Sequence, residues 1–193
     1  MTKHATLFVL LTLVASLGVC SGQQPAVPGA AVVINTAENM HSRSTASTDV
    51  VSQALLGDNV RVLKKERNSD GEDWVQIETP DTYKGWVISS ALRFLKTGDK
   101  PYASAGKVFV VSALLANTYR EPNVTKHKPV KVAPISVVLE VVGEKNERWR
   151  EVNLPCNTRA WIQRGDGDVR EAPWSWPRRP VEALIDATAR CIG

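Results

Sequence analysis

The sequence predicts a mainly β protein built from two small barrels in tandem. Three observations lead to this prediction: short strands of alternating polarity, turn residues about every ten positions, and an internal repeat. Of the 193 residues, 43% are apolar and 23% are charged, which is a globular composition. Chains that stay disordered are less apolar and more highly charged, and fibrous chains are richer in glycine and proline. No helical periodicity precedes residue 180.

The repeat is marked by tryptophans with a constant spacing. Trp74 and Trp86 are twelve residues apart, as are Trp149 and Trp161. With an offset of 75 to 77 residues, three further correspondences follow: Pro80 with Pro155, Arg43 with Arg120, and Val32–Ile34 with Val108–Val110. We therefore place the two units at residues 31–95 and 106–170, with a joint at 96–105 that is rich in Gly, Lys, Pro and Ser.

Within each unit the sequence alternates in the manner of short strands. Asn59–Lys64 alternates apolar and polar residues, as a half-buried strand does, and Ser136–Val142 is a more apolar version of the same pattern. Two further strands are predicted at Asp73–Ile77 and Lys84–Ile88, separated by a turn at Pro80–Thr82. Many short strands with regular turns are typical of a small barrel or sandwich.

Residues 1–22 predict a secretory signal peptide. A positively charged start precedes the apolar run Leu7–Ala15, and small residues follow. This run is shorter than the ~20 apolar residues that a membrane-spanning helix needs. Residues 23–30 then predict a linker. Cleavage would release a periplasmic or extracellular protein, whereas Leu17–Cys20 resembles a bacterial lipobox, in which Cys20 would carry a lipid anchor.

The order of these motifs resembles a known domain, the bacterial SH3-like (SH3b) domain. It ends in Gly-Trp-Val at residues 85–87. Val50–Val60 and Asp81–Val87 look like the first SH3b domain of bacterial dipeptidyl-peptidases, which are NlpC-type cysteine peptidases of the cell wall. The second repeat is similar to their second SH3b domain at Glu151–Pro155, but has Arg159–Trp161 where Gly-Trp is usual. The resemblance implies two SH3-like β-barrels.

Residues 171–193 combine a Trp- and Pro-containing linker with a predicted short C-terminal helix. Pro180 suits a first helical turn, and one face would hold Val181, Leu184, Ile185, Thr188 and Ile192. This stretch resembles the first helix of the NlpC-type catalytic domain. The Pro-Tyr-x-Trp-Gly-Gly segment and the Asp-Cys-Ser-Gly nucleophile motif of that family do not occur before Gly193. The resemblance therefore implies a catalytic domain that is missing from this chain.

The residues predict neither catalysis nor a metal or cofactor site. Cys191 resembles a nucleophile only superficially, because a reactive thiol needs a base and only His41 and His127 follow the predicted signal peptide. The spacing and number of ligands needed for zinc are also lacking. Cys156 is predicted to lie exposed in a turn. Outside the cytoplasm it could pair with Cys191, which the sequence leaves open.

Five residues are the candidates for ligand binding: His41, Arg43, Tyr83, Trp174 and Trp176. The resemblance implies that the loop Asn39–Ser47 of the first domain contacts peptide stems of the cell wall. The simpler interpretation of His41 is a solvated loop histidine. The two linker tryptophans either pack between domains or form an aromatic shelf for sugar or peptide. For the four repeated tryptophans we favour packing, because buried aromatic side chains stabilise small domains.

Charge separates the two units and excludes one class of partner. The first unit holds 7 basic and 9 acidic residues, and the second holds 11 and 7. The net charge of +4 is weak for nucleic-acid binding, which needs clustered cations. We expect an exported, non-catalytic tandem SH3b protein that binds or positions at peptidoglycan or its muropeptide stems. The alternative is a truncated NlpC-type cysteine endopeptidase, which when complete would cleave γ-D-glutamyl-diamino acid bonds in cell-wall peptides.

Overall fold

A computed structural model describes residues 29–173, and these form two seven-stranded antiparallel sheets. The first sheet contains β1 Ala30–Val33, β2 Ala37–His41, β3 Val50–Leu55, β4 Asn59–Arg67, β5 Asp73–Glu78, β6 Lys84–Ile88 and β7 Leu92–Phe94. The second contains β8 Lys107–Val111, β9 Leu115–Tyr119, β10 Lys131–Pro134, β11 Val138–Lys145, β12 Trp149–Asn153, β13 Arg159–Gln163 and β14 Gly167–Glu171. The prediction of a mainly β protein is confirmed.

Helical structure within the described residues is limited to two short 3-10 helices, Ser89–Ala91 and Arg164–Asp166. No helix in this part of the chain is long and apolar enough to span a membrane. The predicted signal peptide at residues 1–22 and the predicted helix after Pro180 lie outside the described residues.

The two sheets share one topology. Their strand orders are β3-β2-β6-β5-β4-β1-β7 and β10-β9-β13-β12-β11-β8-β14, so adding seven to each label of the first gives the second. Trp74 pairs with Ile88 on the neighbouring strand, and Trp149 pairs with Gln163, so the tryptophans correspond as predicted. The short 3-10 helices also occupy equivalent places, between β6 and β7 and between β13 and β14.

The predicted alignment of the first strands is wrong by two residues. Val32 pairs with Asn59 and Arg93, while Val110 pairs with Val138 and Asp168, so Val32 corresponds to Val110. Side chains of a strand alternate with period two, and a shift of two therefore keeps every apolar residue on its face. The apolar pattern alone cannot detect such a shift.

The predicted correspondence of Arg43 with Arg120 is wrong by one residue. His41 pairs with Trp86 in the first sheet, and Tyr119 pairs with Trp161 in the second. His41 and Tyr119 are therefore equivalent, and Arg120 corresponds to Ser42.

Each sheet encloses its own apolar core, and the tryptophans lie outside it. The two clusters contain fully buried side chains such as Met40, Ile77 and Val87 in the first unit and Phe109, Leu139, Leu154 and Ile162 in the second. Neither of these clusters of described residues includes a tryptophan. Because Val75 and Ile77 face the core, Trp74 must point to the opposite side of β5.

An aromatic pair covers this outer face in both units. The ring of His41 lies edge-on to Trp74, with centroids 5.6 Å apart and planes at 88°. Tyr119 and Trp149 repeat the arrangement at 5.8 Å and 89°. Edge-to-face contact is a favoured geometry for aromatic rings. The tryptophans thus pack as predicted, but in a layer behind the sheet rather than in the barrel core.

The units contact each other through the end of the first barrel. Leu56, between β3 and β4, belongs to the apolar cluster of the second unit. The Thr36 hydroxyl donates to the Val132 carbonyl at 2.8 Å, and the Arg93 Nε donates to the Pro155 carbonyl. Packing and hydrogen bonds therefore both cross the boundary between the repeats.

The joint between the repeats is fixed by a buried tyrosine. Tyr102 is 3% exposed, and its hydroxyl donates to the Asn153 carbonyl at 2.5 Å while accepting from the Glu140 backbone N–H at 3.3 Å. Its own backbone N–H and carbonyl bind the Asn59 side chain at 2.8 and 2.9 Å. We name Tyr102 with Asn59, Glu140 and Asn153 the linker clasp. It touches both units at once.

Candidate functional site

His41 is enclosed by the protein rather than solvated. It ends β2, is 8% exposed, and stacks edge-on against Trp74. Its Nδ1 lies 3.0 Å from the Thr48 carbonyl, so the ring also holds the following loop. The interpretation as a solvated loop histidine is therefore wrong. His41 supports the loop from beneath and presents little surface of its own to a ligand.

Arg43 lies in the loop that His41 supports. The loop joins β2 to β3 and is closed by a hydrogen bond from the Ser42 N–H to the Asp49 carbonyl at 2.9 Å. The Arg43 N–H donates to the Thr48 hydroxyl at 3.4 Å, and Arg43 is exposed. A guanidinium presented on a closed loop is suited to bind a carboxylate.

Tyr83 belongs to an exposed apolar surface on the same unit. Tyr83 is 56% exposed just before β6, and Val50 and Val51 at the start of β3 are 50% and 45% exposed. We name these three residues the strand-edge patch. β3 is an edge strand of the sheet.

A glycine allows β3 to approach β6 beside Tyr83. A Cβ on Gly85 would lie 2.8 Å from the Met40 Cβ and 3.0 Å from the Val51 Cγ2, so a side chain has no room there. Tyr83 precedes Gly85 by two residues, which span about 7 Å in extended backbone. Gly85 thus sets β6 against Val51, and Tyr83 lies two residues before this contact. The loop with Arg43 ends one residue before Val50.

Sequence analysis missed Val50 and Val51, although the sequence contained a sign of their exposure. Two consecutive valines in a strand point to opposite faces, so only one can enter the core. The pairing of His41 with Val50 and the register shift beside it then turn both valines toward solvent. Trp174 and Trp176, the other two candidates, lie outside the described residues.

In the second unit, the positive charge is partly neutralised. Glu121 binds Lys126 at 2.8 Å and His127 at 3.1 Å, and the bond from Lys126, then that from His127, lowers the pKa of its carboxyl. Arg159 lies 3.7 Å from Glu151. Further pairs join Arg150 to Glu144 and Arg170 to Asp168. Each of these pairs has at least one exposed or half-exposed side chain, so the ion pairs are weak. The remaining positive charge of the second unit attracts anions without a defined binding site.

Residues 29–173 contain two histidines and one cysteine. No group of three His, Cys, Asp or Glu residues within 29–173 is placed to hold a metal ion. Cys156 is exposed in the turn between β12 and β13, and its Sγ lies 3.3 Å from the Thr158 hydroxyl. The two histidines in this part of the chain bind Thr48 and Glu121 respectively.

One comparison with known proteins matches the first unit, and another matches most of the chain. Residues 36–93 match the family model described as bacterial SH3 domain. The chain is similar to the crystal structure of an NlpC/P60 family protein from Bacillus cereus ATCC 10987, with 19% identity and a TM-score of 0.58, over 80% of this chain. It spans 62% of the length of that protein.

A second solved structure with a weaker likeness is NlpC2 from Trichomonas vaginalis, with 13% identity and a TM-score of 0.28, over 77% of this chain and 48% of that one. No curated protein matches the chain. The family model covers the motifs at residues 50–60 and 81–87. Residues 36–93 therefore match the bacterial SH3 domain, as the motifs predict, and the chain shares its fold with the NlpC/P60 family protein from Bacillus cereus.

Proposed function

We propose that this is an exported protein of the bacterial cell envelope whose first unit binds the peptide stems of peptidoglycan. The observation that carries the proposal is the strand-edge patch, which lies within the bacterial SH3 domain at residues 36–93. Apolar side chains gathered on a surface mark interaction sites. Stem peptides combine alanine methyl groups with free carboxylates. Tyr83 and Val51 match the methyl groups, and Arg43 matches a carboxylate.

The second unit adds weak attraction without specificity. Its 11 basic residues exceed its 7 acidic ones, and cell-wall polymers carry anionic groups. Two linked weak contacts bind more tightly than either alone, because the second contact forms at a high effective concentration. The attraction between exposed charges is screened over ~8 Å at physiological ionic strength. Added salt should therefore weaken retention without abolishing it.

Sedimentation with purified, insoluble peptidoglycan tests this function. We expect Tyr83→Ser, alone or with Val51→Ser, to raise the dissociation constant about 3- to 10-fold, the usual effect of removing an exposed aromatic anchor. Val124→Ser is the matched control, because Val124 is a similarly exposed valine of the second unit at 44%. The proposal fails if wild type and Tyr83→Ser sediment equally, or if an unrelated protein of the same charge is retained equally well.

A second candidate is an NlpC-type cysteine endopeptidase of which this chain is the non-catalytic part. The similarity to the Bacillus cereus NlpC/P60 protein favours it, because this chain spans 62% of that protein. The coding sequence after residue 193 distinguishes the two, because the endopeptidase would continue in frame into the Pro-Tyr-x-Trp-Gly-Gly and Asp-Cys-Ser-Gly motifs. In both cases we expect this chain to release no soluble muropeptide, and Cys191→Ser to have no effect. Release of a peptide that Cys191→Ser abolishes would contradict the non-catalytic role that both candidates give to this chain.

A further inference from the structure

One face of the first unit is covered by the second unit. Thr36 and Leu56 lie on it: the Thr36 hydroxyl binds the Val132 carbonyl at 2.8 Å, and Leu56 enters the second core. Leu55 packs partly against that core as well. The face therefore joins a repeat to whatever follows it in the chain.

The second unit presents the equivalent face. The Leu56 N–H donates to the Thr36 carbonyl at 3.2 Å, and the Ile135 N–H donates to the Leu114 carbonyl at 3.0 Å, so Leu114 corresponds to Thr36 and Ile135 to Leu56. The strand pairing agrees, because Ala37 pairs with Leu55 and Leu115 pairs with Pro134. We name Leu114, Leu115, Pro134 and Ile135 the open repeat face.

This face is more apolar than its counterpart and is not covered by the described residues. Leu114 is 69% exposed and Leu115 is 62% exposed, where the first unit has Thr36 and Ala37. These two values are the highest among the exposed large apolar side chains described. Two adjacent leucines this exposed mark a contact surface rather than a solvated one.

The path of the chain indicates what covers the face. β7 and β14 are equivalent edge strands, and the segment after β7 runs to the covered face of its own unit. There, Tyr102 comes within 3.2 Å of the position that a Cβ on Gly57 would occupy. The segment after β14 leaves from the same place in the second unit, and its last described residue is Pro173.

The sequence after Pro173 supplies a matching apolar segment. The seven residues from Pro173 to Pro180 can span about 23 Å when extended, the scale of one small barrel. Residues 180–192 then carry apolar side chains at helical spacing, at positions 181, 184, 185 and 192. Such a stripe is stable in water only when it is buried against another apolar surface.

We propose that residues 180–192 of this chain dock on the open repeat face, as the second unit docks on the equivalent face of the first. Leu114 and Leu115 then contact the apolar stripe that begins at Val181. The same face of the repeat thus serves twice as the attachment point for the next segment of the chain.

Alkylation of Cys191 tests the docking in the full chain. Cys20→Ser and Cys156→Ser leave Cys191 as the single thiol, within the docked segment beside Ile192. We expect a maleimide to label it slowly, and Leu114→Asp with Leu115→Asp to accelerate labelling about tenfold or more, since the local opening becomes more populated. Val124→Asp is the control at a 44% exposed valine in the loop that joins β9 to β10, at the opposite end of these strands from Leu115 and Pro134. Denaturant midpoints of the two sheets should stay unchanged, because none of the three positions belongs to either apolar core.

Three results would overturn the proposal. Labelling at the rate of a free cysteine in the unsubstituted protein would mean that the segment is not docked. Equal acceleration by Val124→Asp would mean that protection does not depend on the two leucines. Protection that disappears on dilution would assign the face to a second copy of the chain.

Discussion

Asp58 shows how a single residue separates two units of the same topology. It follows Gly57, and the equivalent position in the second unit is Val137, a core residue 3% exposed. The Asp58 carboxylate accepts from the Leu55 N–H at 2.8 Å. Burial, and to a smaller degree the nearby charge of Asp81, raises the pKa of the Asp58 carboxyl. The first unit therefore has a carboxylate at the position where the second unit has an apolar side chain.

Asp58→Asn should stabilise the protein at pH 7, because the amide oxygen can accept the same hydrogen bond without a buried charge. The pKa of Asp58 is higher in the folded than in the unfolded state. In the wild type, the raised pKa of Asp58 contributes fully to folding stability below the unfolded-state pKa of ~3.9. This contribution is lost as the pH rises through the pKa of Asp58 in the folded state. The advantage of the variant should shrink as the pH falls toward 4. Urea unfolding at the two pH values measures it.

Asp70→Asn, in the exposed turn between β4 and β5, is the control and should change neither value. If Asp58→Asn is less stable than wild type at both pH values, the introduced amide fails to accept the hydrogen bond from the Leu55 N–H.

At the scale of strands, one equivalent position holds a large side chain in the first unit and a glycine in the second. Leu92 of β7 pairs with Val33, and Gly167 of β14 pairs with Val111, so Leu92 and Gly167 are equivalent. In the second unit, the ring of Phe109 fills the space: its Cε1 would lie 2.6 Å from a Cβ on Gly167. The Val110 carbonyl would contact the same Cβ. Position 167 is thus restricted to glycine by Phe109 and Val110 on the adjacent strand β8.

Gly167→Ala should destabilise the protein by about 1–3 kcal/mol, the cost of overpacking a filled core. The sign is informative, because alanine usually stabilises a site that tolerates it by about 0.4–1 kcal/mol. Gly165→Ala, two residues earlier, is the matched control, since no atom lies within 4 Å of its Cβ position. Denaturant midpoints of both variants measure the difference. Equal midpoints would mean that both the Val110 carbonyl and the Phe109 ring move aside freely.

The strands and their turns could be predicted because alternation and turn residues are local. Asp73–Ile77 and Lys84–Ile88 were predicted within one residue of β5 and β6. The alignment of β1 with β8 could not be, because a two-residue shift leaves the pattern unchanged. The equivalence of His41 with Tyr119 was missed because matching Arg43 to Arg120 set this part of the alignment one residue out of register, and the burial of His41 against Trp74 stayed hidden.

For the whole molecule, the linker clasp determines how the units are held. Residues 96–105 read as a polar joint in the sequence, yet Tyr102 is buried there. Its partners Asn59 and Asn153 are 43 and 51 residues away, and no local pattern marks them. Burial raises the pKa of the Tyr102 hydroxyl still further above neutral pH, which is consistent with its role as a hydrogen-bond donor. Sequence reasoning could locate the joint but not its contacts.

Tyr102→Phe should lower the free energy of unfolding by about 1–3 kcal/mol, because the Asn153 carbonyl loses its donor in a buried setting. Tyr83→Phe removes a hydroxyl from a 56% exposed ring and should leave stability unchanged. Denaturant unfolding followed by tryptophan fluorescence compares them. If the two variants have equal midpoints, water replaces the lost hydroxyl and the clasp contributes little.

Leu56 makes the stability of the second repeat depend on the first. It is encoded in the first unit but completes the apolar cluster of the second. A second unit produced alone would therefore carry a cavity at that site, and cavities in filled cores lower stability by several kcal/mol. The two repeats should thus unfold as one cooperative unit, although the duplication suggests a boundary between them. Heat or denaturant should melt the pair in one transition, and neither half is a natural unit for dissection.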